Sequence, residues 1–450
     1  MRQRSITGPL ILIGIGVLFL LNNLGHDIQF WHYLTEYWPF LLIGLGLIRL
    51  GEVLAQFARG PENFGPGMRP ARGGGGLFWI VMLCLFLAVW SARRDGIHIG
   101  RINAPGSISI LGSDYDYDVH TSAGTDGITR LVLDNIDGGL TVHGVDGVEV
   151  TASGHRNVKA FSRSEADRAN QNAEVKLERQ GDSLVLRVSE PAHSGMLSVS
   201  NDLDISVPKG LNVEARGRGD LTVQDMAGSV SVTDSRGDVR LTNIGKDVRV
   251  QNARGGLVRA DNVKGSVDLQ GRGGDVQFEH IEGLVTVNGE FSGTLEFQAL
   301  TKALHFESSR SDFRVEQVPG SITMDLGHMK IENAVGPVKF RTTSRDVEVT
   351  DVTNSLELNV DRGDIEVTGT RAPLPKMDVH TRNGDITLTL PDKAGFDLDG
   401  KTAAGEVNNE FGAPLSNHSD GREATVKGKV GNGPVLTVVT DRGTMTIKKN

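Results

Sequence analysis

Residues 236–250, RGDVRLTNIGKDVRV, contain the pattern that decides the fold. Two short segments, VRL and VRV, begin nine residues apart, and a glycine comes shortly before each of them. In both segments two apolar residues flank a polar one, which is the alternation of a β-strand with one buried face. We therefore expect Val239, Leu241, Val248 and Val250 to point into a core.

The same pattern recurs at a fixed period. Arg218, Arg236, Arg254 and Arg272 are each 18 residues apart, and strand text follows as far as residues 365–367. Such short strands cannot bury their apolar faces alone, whereas stacked turns share one core. The pattern predicts an all-β solenoid, similar to a β-helix, with about 18 residues and two short strands per coil. A further apolar residue should close each corner from inside: Met226, Ile244, Val263, Ile281, Val318 and Val335.

Glycine and aspartate recur where the coils turn. We expect the glycines to permit positive φ and the aspartates to bond the local backbone. The tripeptide Arg-Gly-Asp, which animal-cell adhesion receptors recognise, occurs at 218–220, 236–238 and 362–364, but equivalent corners carry Arg-Gly-Gly or Asn-Gly-Asp. A turn requirement explains the whole series, so we interpret it as structural. The predicted structural turn positions are Gly219, Asp220, Gly237, Asp238, Gly255, Gly273, Gly363 and Asp364.

The flanking segments indicate further domains. Residues 95–215 should form an N-terminal β region with one short helix near 162–173, where Ser164 stands three residues before Asp167 at the expected start. Residues 216–370 form the regular β-solenoid of this interpretation, and residues 371–450 form a C-terminal β cap.

Residues 1–94 are predicted to be a transmembrane α-helical region, with spans at about 6–24, 38–57 and 77–92. The first span has 19 uncharged residues, enough to cross a bilayer, although a cleaved signal peptide is the alternative. Arginines precede this span and recur in the 58–76 loop, which favours a cytoplasmic position for both segments. The solenoid would then lie outside the cytoplasm. If the third span does not insert, the solenoid would lie inside.

Charge and composition exclude several partners. Residues 95–450 contain 39 basic and 52 acidic residues, a net charge of −13, so nucleic acid is a poor partner. The single cysteine, Cys84, allows neither an internal disulfide nor a zinc cluster. Membrane lipid is the one partner that the apolar segments imply directly, and the oligomeric state stays open.

We find no convincing catalytic, cofactor or metal site in the sequence. The best acidic group is Glu348, Glu357 and Glu366, with the first and third one coil apart on one face, but outward strand positions are commonly just solvated. The twelve histidines show no H-x-x-H spacing. Calcium at aspartate-rich corners remains an alternative, although the nonapeptide calcium-binding signature is absent. We therefore predict that the chain is not an enzyme.

Two segments resemble bacterial protein families. GPLILIGIGVLFLLNNLG (8–25) and YWPFLLIGLGLIRLGEVL (37–54) resemble the membrane region of Lia-type cell-envelope stress proteins. DLDISVPKGLNVEARGRGDLTVQD (202–225), with the units that follow, resembles the bacterial adhesin-type β-strand-repeat family, a β-solenoid domain of unknown function.

These resemblances imply a protein of the bacterial cytoplasmic (inner) membrane with other envelope proteins as partners. The first hypothesis is a membrane-anchored, non-enzymatic β-solenoid that presents a rigid surface for scaffolding or adhesion. The alternative is a regulatory component of an envelope-stress system that acts through its membrane helices. A glycan-active β-helix enzyme is the third, less favoured reading.

Overall fold

A computed structural model describes residues 113–188 and 198–450. The predicted spans at 6–24, 38–57 and 77–92 lie outside these residues. The described part contains one helix, α1 (Arg163–Asn172), and no helix there is long and apolar enough to cross a membrane. Nearly all the remaining regular structure is β-strand, arranged in two sheets.

The first sheet has 16 strands. Its strands are mainly those that begin just after the arginine-glycine corners. In spatial order they are β1 (Ser113–Gly124), β4 (Glu149–Ala160), β7 (Ser198–Pro208), β3 (Leu140–Val145), β9 (Leu221–Met226), β11 (Val239–Ile244), β13 (Val258–Val263), β15 (Val276–Ile281), β17 (Leu295–Leu300), β20 (Val318–Met324), β21 (His328–Val335), β23 (Asp346–Thr353), β25 (Ile365–Thr368), β27 (Ile386–Leu390), β33 (Met445–Lys449) and β29 (Val407–Asn409).

The second sheet contains the intervening strands. In spatial order they are β5 (Val175–Gln180), β6 (Ser183–Val188), β2 (Arg130–Ile136), β8 (Asn212–Gly217), β10 (Val230–Thr233), β12 (Val248–Ala253), β14 (Val267–Gly273), β16 (Val285–Phe291), β18 (Leu304–Glu307), β19 (Ser311–Val315), β22 (Val338–Thr342), β24 (Ser355–Arg362), β26 (Lys376–Asn383), β32 (Val435–Arg442), β28 (Phe396–Thr402), β31 (Glu423–Val430) and β30 (Ser416–Asp420). The chain alternates between the two sheets, which makes a solenoid with two strands per coil.

The core lies between the sheets, as the alternation predicts. Val239 and Leu241 on β11, and Val248 and Val250 on β12, are all at most 2% exposed. Val239 is in register with Leu221 one coil earlier and with Val258 one coil later, which are 18 and 19 residues away. The predicted all-β solenoid is therefore confirmed for the described residues.

Most of the predicted corner residues are also buried. Met226, Ile244, Val263, Ile281 and Val318 are each at most 1% exposed. Val335 differs, because it is only half-buried and its neighbour Ala334 points inward instead. Ala334 is in register with the buried Val352 of the next coil, so the interior position has moved by one residue.

One coil within the regular solenoid runs in the opposite direction to the coils on either side of it, which the repeat did not predict. β19 is antiparallel to β18 and to β22, and β20 is antiparallel to β17 and to β21. The chain therefore reverses at two hairpin turns, at residues 308–310 and 325–327. In the second turn the Asp325 carboxylate accepts the N–H groups of His328 and Gly327, both at 2.7 Å, and these bonds lower its pKa.

Arg345 joins the two hairpin turns. Its side chain is 8% exposed and donates from Nε to the Asp325 carbonyl oxygen at 2.6 Å. It also donates from Nη1 to the Ser311 hydroxyl, which lies 3.0 Å from the Thr342 hydroxyl. Burial lowers the pKa of this guanidinium. A single buried side chain thus connects both ends of the reversed coil.

The short helix begins two residues earlier than the capping pattern indicated. Ser162, not Ser164, is the N-cap, and its hydroxyl accepts the Glu165 N–H at 3.3 Å. A serine followed by glutamate three residues later is a capping box, so the same rule applies with a different serine. The helix buries Ala166 and Ala169 against the strand residue Val158.

Candidate functional site

The arginine-glycine corners join the end of a second-sheet strand to the start of a first-sheet strand. Gly219, Gly237, Gly255 and Gly273 lie there, but none of them has the positive φ that we expected. A Cβ on Gly255 would instead overlap the carbonyl oxygen of Gly237 in the previous coil, and one on Gly237 would overlap the backbone of Gly219. The glycines are needed because the backbones of successive coils approach closely. Gly363 differs in also having φ +140°.

The corner aspartates bond the next coil and not their own turn, which corrects the local-backbone expectation. Asp220 Oδ1 accepts the N–H of Asp238 at 2.9 Å, and Asp238 Oδ1 accepts that of Leu257 at 2.9 Å. Asp364 Oδ1 likewise accepts the N–H of Asp385 at 2.8 Å. Each of these carboxylates therefore has an oxygen engaged between coils.

Positive φ occurs in a different column of residues, which we did not predict from the sequence. Asp225, Asn243, Asn262 and His280 have φ between 54° and 60°. Their side chains form a ladder in which Asn243 Nδ2 donates to Asp225 at 2.7 Å and Asn262 Nδ2 donates to Asn243 at 2.8 Å. The signal was present in the sequence, because a short polar residue immediately precedes the buried corner residue in most of these coils.

The stacking also brings together three groups that could bind a metal ion. His280 Nδ1 lies 3.3 Å from Asp261 Oδ1 and 3.5 Å from Glu279 Oε1, and the three ligand atoms are all within 4.8 Å of one another. Asp261 and Glu279 are in register on β13 and β15. The set offers one nitrogen and two oxygens on the outer face. A search for closely spaced histidines misses it because Asp261 and His280 are 19 residues apart.

The predicted acidic group is only partly assembled. Glu348 and Glu366 are in register on β23 and β25, whereas Glu357 lies on β24 in the second sheet. Lys330 Nζ lies 3.5 Å from Glu348, and Lys339 Nζ lies 2.9 Å from Glu357. Glu348 and Glu357, both half-exposed, are therefore paired with neighbouring lysines on the outer surface.

A small cavity of about 170 Å³ opens at the opposite corner of the later coils. Apolar side chains such as Val335, Val352 and Leu374 form much of its wall, and Asp351 lies at its polar side. The Asp351 carboxylate accepts the Thr370 N–H at 2.7 Å. This bond attaches the loop after β25 to the previous coil.

The arginines at the corners form the most strongly charged feature that repeats. Arg218, Arg236, Arg254 and Arg272 stand in adjacent coils and are all exposed. The register of the Ala253–Gly271 pair places Arg254 beside Arg272 of the next coil, and Arg272 is in register with Glu290 on β16. The column therefore contains four arginines in successive coils and ends at a glutamate.

Two family models match the chain. Residues 285–448 match the family described as Toastrack DUF4097, and residues 6–50 match the LiaI-LiaF-like transmembrane region. Both resemblances inferred from the sequence are confirmed. None of the curated proteins matches the chain.

Three solved structures are similar to the chain at low identity. A candidate cell adhesion protein from Clostridium sporogenes is 13% identical, with 75% of this chain and 100% of that chain covered and a TM-score of 0.18. Candidate adhesins from Bacteroides fragilis and Parabacteroides distasonis are 11% and 8% identical, with TM-scores of 0.18 and 0.21, and each comparison covers 74% of this chain and 97% of that chain. These scores are too low to support an argument.

Proposed function

With a Toastrack solenoid and a Lia-type membrane region in one chain, we propose a membrane-anchored, non-enzymatic protein of the bacterial cell envelope that presents a rigid scaffold surface. The observation that carries the proposal is the continuous stack of coils around one core. Backbone ladders and apolar packing hold each coil against the next, so outward side chains keep a constant spacing. A surface of this kind suits binding to an extended partner.

The outer faces support a binding role more than catalysis. In the part of the chain that the structure describes, the acids in register, Glu348 and Glu366, lie on an open face with Lys330 nearby. A glycosidase needs one carboxyl group with a raised pKa, which burial usually provides. Glu348 is half-exposed and paired with Lys330, and Glu366 is exposed, so neither side chain is buried in that way.

The proposed location of the solenoid is the extracytoplasmic side of the cytoplasmic membrane, with residues 1–94 as the anchor. Protease treatment of intact spheroplasts tests this location directly. We expect residues 95–450 to be digested while an N-terminal tag stays protected. If the solenoid is digested only after lysis, the assigned sidedness is wrong.

A regulatory role is the second candidate, and the match of residues 6–50 favours it. In this case the membrane helices would contact a sensor protein and the solenoid would report on the envelope. Deletion of residues 95–450 separates the candidates. If the membrane helices are sufficient for regulation, envelope-stress signalling should persist in cells that carry the truncated chain. If the chain is a scaffold, the truncation should give the same phenotype as deletion of the whole protein.

The enzymatic alternative is tested with conservative variants. Glu348→Gln and Glu366→Gln should not change the activity of the chain on envelope glycans. Glu357→Gln is the matched control, because Glu357 has a similar lysine partner but lies on the other sheet. Loss of a measurable glycan cleavage in the first two variants alone would refute the non-enzymatic proposal.

A further inference from the structure

The four corner arginines, Arg218, Arg236, Arg254 and Arg272, are here named the arginine file. Each arginine immediately precedes a glycine of the stacked column, so the close approach of those glycines places the arginines one above another. Arg254 N–H donates to the Ser235 carbonyl oxygen at 2.9 Å, which sets it against the Arg236 position of the coil below. Neighbouring strands are about 4.8 Å apart, so the file is about 14 Å long.

In the part of the chain that the structure describes, few acids lie close to the side chains of the file. Arg218 has its nearest acid at 3.9 Å, the Asp137 carboxylate. Within residues 113–188 and 198–450, no carboxylate oxygen lies within 4.0 Å of the side-chain nitrogens of Arg236, Arg254 or Arg272. Like charges this close repel one another unless an anion lies between them.

The aspartates beside the file are occupied elsewhere. One oxygen of Asp220 and one of Asp238 accept backbone N–H groups of the next coil. The second oxygen of Asp238 accepts from Arg240 at 2.7 Å. In the third coil Gly256 follows the stacked glycine where the first two coils have aspartate, so the positive charge is least opposed at Arg254. In the fourth coil Asp275 takes the place of the corner aspartate and accepts the Thr294 N–H, and Glu290 is in register with Arg272.

Further arginines flank the file on both sheets. Arg216, at the end of β8, and Arg259, near the start of β13, are both exposed. Arg259 is in register with Arg240 of the preceding coil. The first four coils therefore present a basic strip on a domain whose overall charge is strongly negative.

We propose that the arginine file binds a linear polyanion other than nucleic acid, whose phosphate groups recur along one chain. Guanidinium groups bind phosphate oxygens through two parallel hydrogen bonds, and one arginine per coil matches an extended, repeating ligand better than a single compact anion. The file is one residue wide, so it is better suited to a single extended polymer chain than to a flat lipid surface. The inference rests on the proposed scaffold function, because it names the class of envelope component that the scaffold would hold.

The test measures binding of fluorescently labelled long-chain polyphosphate to the full chain in a zwitterionic detergent. The test variant is Arg236→Ala/Arg254→Ala/Arg272→Ala. The control is Arg341→Ala/Arg371→Ala/Arg382→Ala, which removes the same charge from exposed arginines outside the file. We expect at least a tenfold loss of affinity in the test variant and less than a twofold loss in the control.

Salt dependence and shorter probes sharpen the result. Each lost phosphate contact should reduce the magnitude of the slope of log K against log salt by about 0.7. The test variant lacks three arginines, so its slope should be smaller in magnitude by about 2. Tripolyphosphate should bind at least tenfold more weakly than the long chain, because it spans fewer coils.

Three outcomes would overturn the proposal: no binding by the unaltered chain, equal losses in the test and control variants, or tighter binding to single-stranded DNA or anionic vesicles than to polyphosphate. None of these results bears on the scaffold role, which the deletion of residues 95–450 tests separately. Failure of the file and failure of the scaffold proposal are therefore distinguishable.

Discussion

Asp220 Oδ1 accepts the backbone N–H of Asp238, 18 residues later, at 2.9 Å. The second aspartate repeats the contact with Leu257 of the third coil. The carboxylates of these Arg-Gly-Asp tripeptides therefore join successive coils, and the interpretation of the tripeptides as structural turns stays a prediction.

Asp220→Ala should weaken the joint between the first two coils. The lost hydrogen bond should lower the free energy of unfolding by about 1 kcal/mol, since a net hydrogen bond contributes about that much. Hydrogen–deuterium exchange of the peptide that contains the Asp238 amide should become faster. Asp220→Asn keeps an acceptor oxygen and serves as the control, and equal exchange in both variants would contradict the prediction.

Gly255→Ala should destabilise the solenoid although no positive φ is involved. The new Cβ would overlap the Gly237 carbonyl oxygen, and relief of such overlaps in packed regions typically costs about 1–3 kcal/mol. Thermal unfolding of the full chain, followed by limited proteolysis, measures the effect. Gly210→Ala is the matched control, because a Cβ there meets nothing within 4 Å. A similar stability for both variants would show that the coils can separate without cost.

Arg345→Ala should loosen both hairpin turns of the reversed coil at once. Hydrogen bonds from a charged donor contribute about 2 kcal/mol each, and this substitution removes the bonds to Asp325 and Ser311. We expect faster exchange in peptides covering 308–311 and 325–328. Arg341→Ala, an exposed neighbour, should leave both peptides unchanged. Faster exchange in only one of the two turns would refute a joint role.

Tyr117 should make the stability of the N-terminal β region fall at high pH. Burial and the 2.6 Å hydrogen bond from its hydroxyl to Asp167 raise the pKa of Tyr117 to about 12. The folded state therefore holds this proton more tightly than the unfolded chain, whose tyrosine pKa is about 10. The contribution is fully present below pH 10 and is lost as the pH rises towards 12.

Ultraviolet titration of tyrosine ionisation checks the Tyr117 prediction. The difference between the unaltered chain and Tyr117→Phe should show one group titrating near pH 12. The protection factor of the α1 peptide, which corrects for the base-catalysed intrinsic exchange rate, should also fall between pH 10 and 12 in the unaltered chain only. A difference spectrum that titrates near pH 10 would contradict the raised pKa.

The local pattern of the sequence was enough to predict which side chains are inside. Val239, Leu241, Val248 and Val250 could be assigned to the core because strand side chains alternate with a period of two, whatever lies on the neighbouring coil. The 18-residue period likewise indicated a solenoid. The N-cap was missed by two residues, because Ser162 and Ser164 both fit a capping rule and only packing selects one.

The properties of the corners depended on the stack. Whether Gly237 needs positive φ or merely lacks room for a Cβ depends on the coil beneath it, and the same holds for the partner of Asp220. The direction of the β19–β20 coil was equally hidden, because alternation is the same in parallel and antiparallel strands.

The sequence by itself thus determined the strand period and the residues of the core, since both follow from backbone geometry within a few residues. Tertiary structure alone decided the reversal at Arg345, the cluster of Asp261 and His280, and the exposure of Arg254, which has no carboxylate partner among the described residues. These features arise between residues a coil or more apart, where contact is decided by how the coils stack and not by neighbours along the chain.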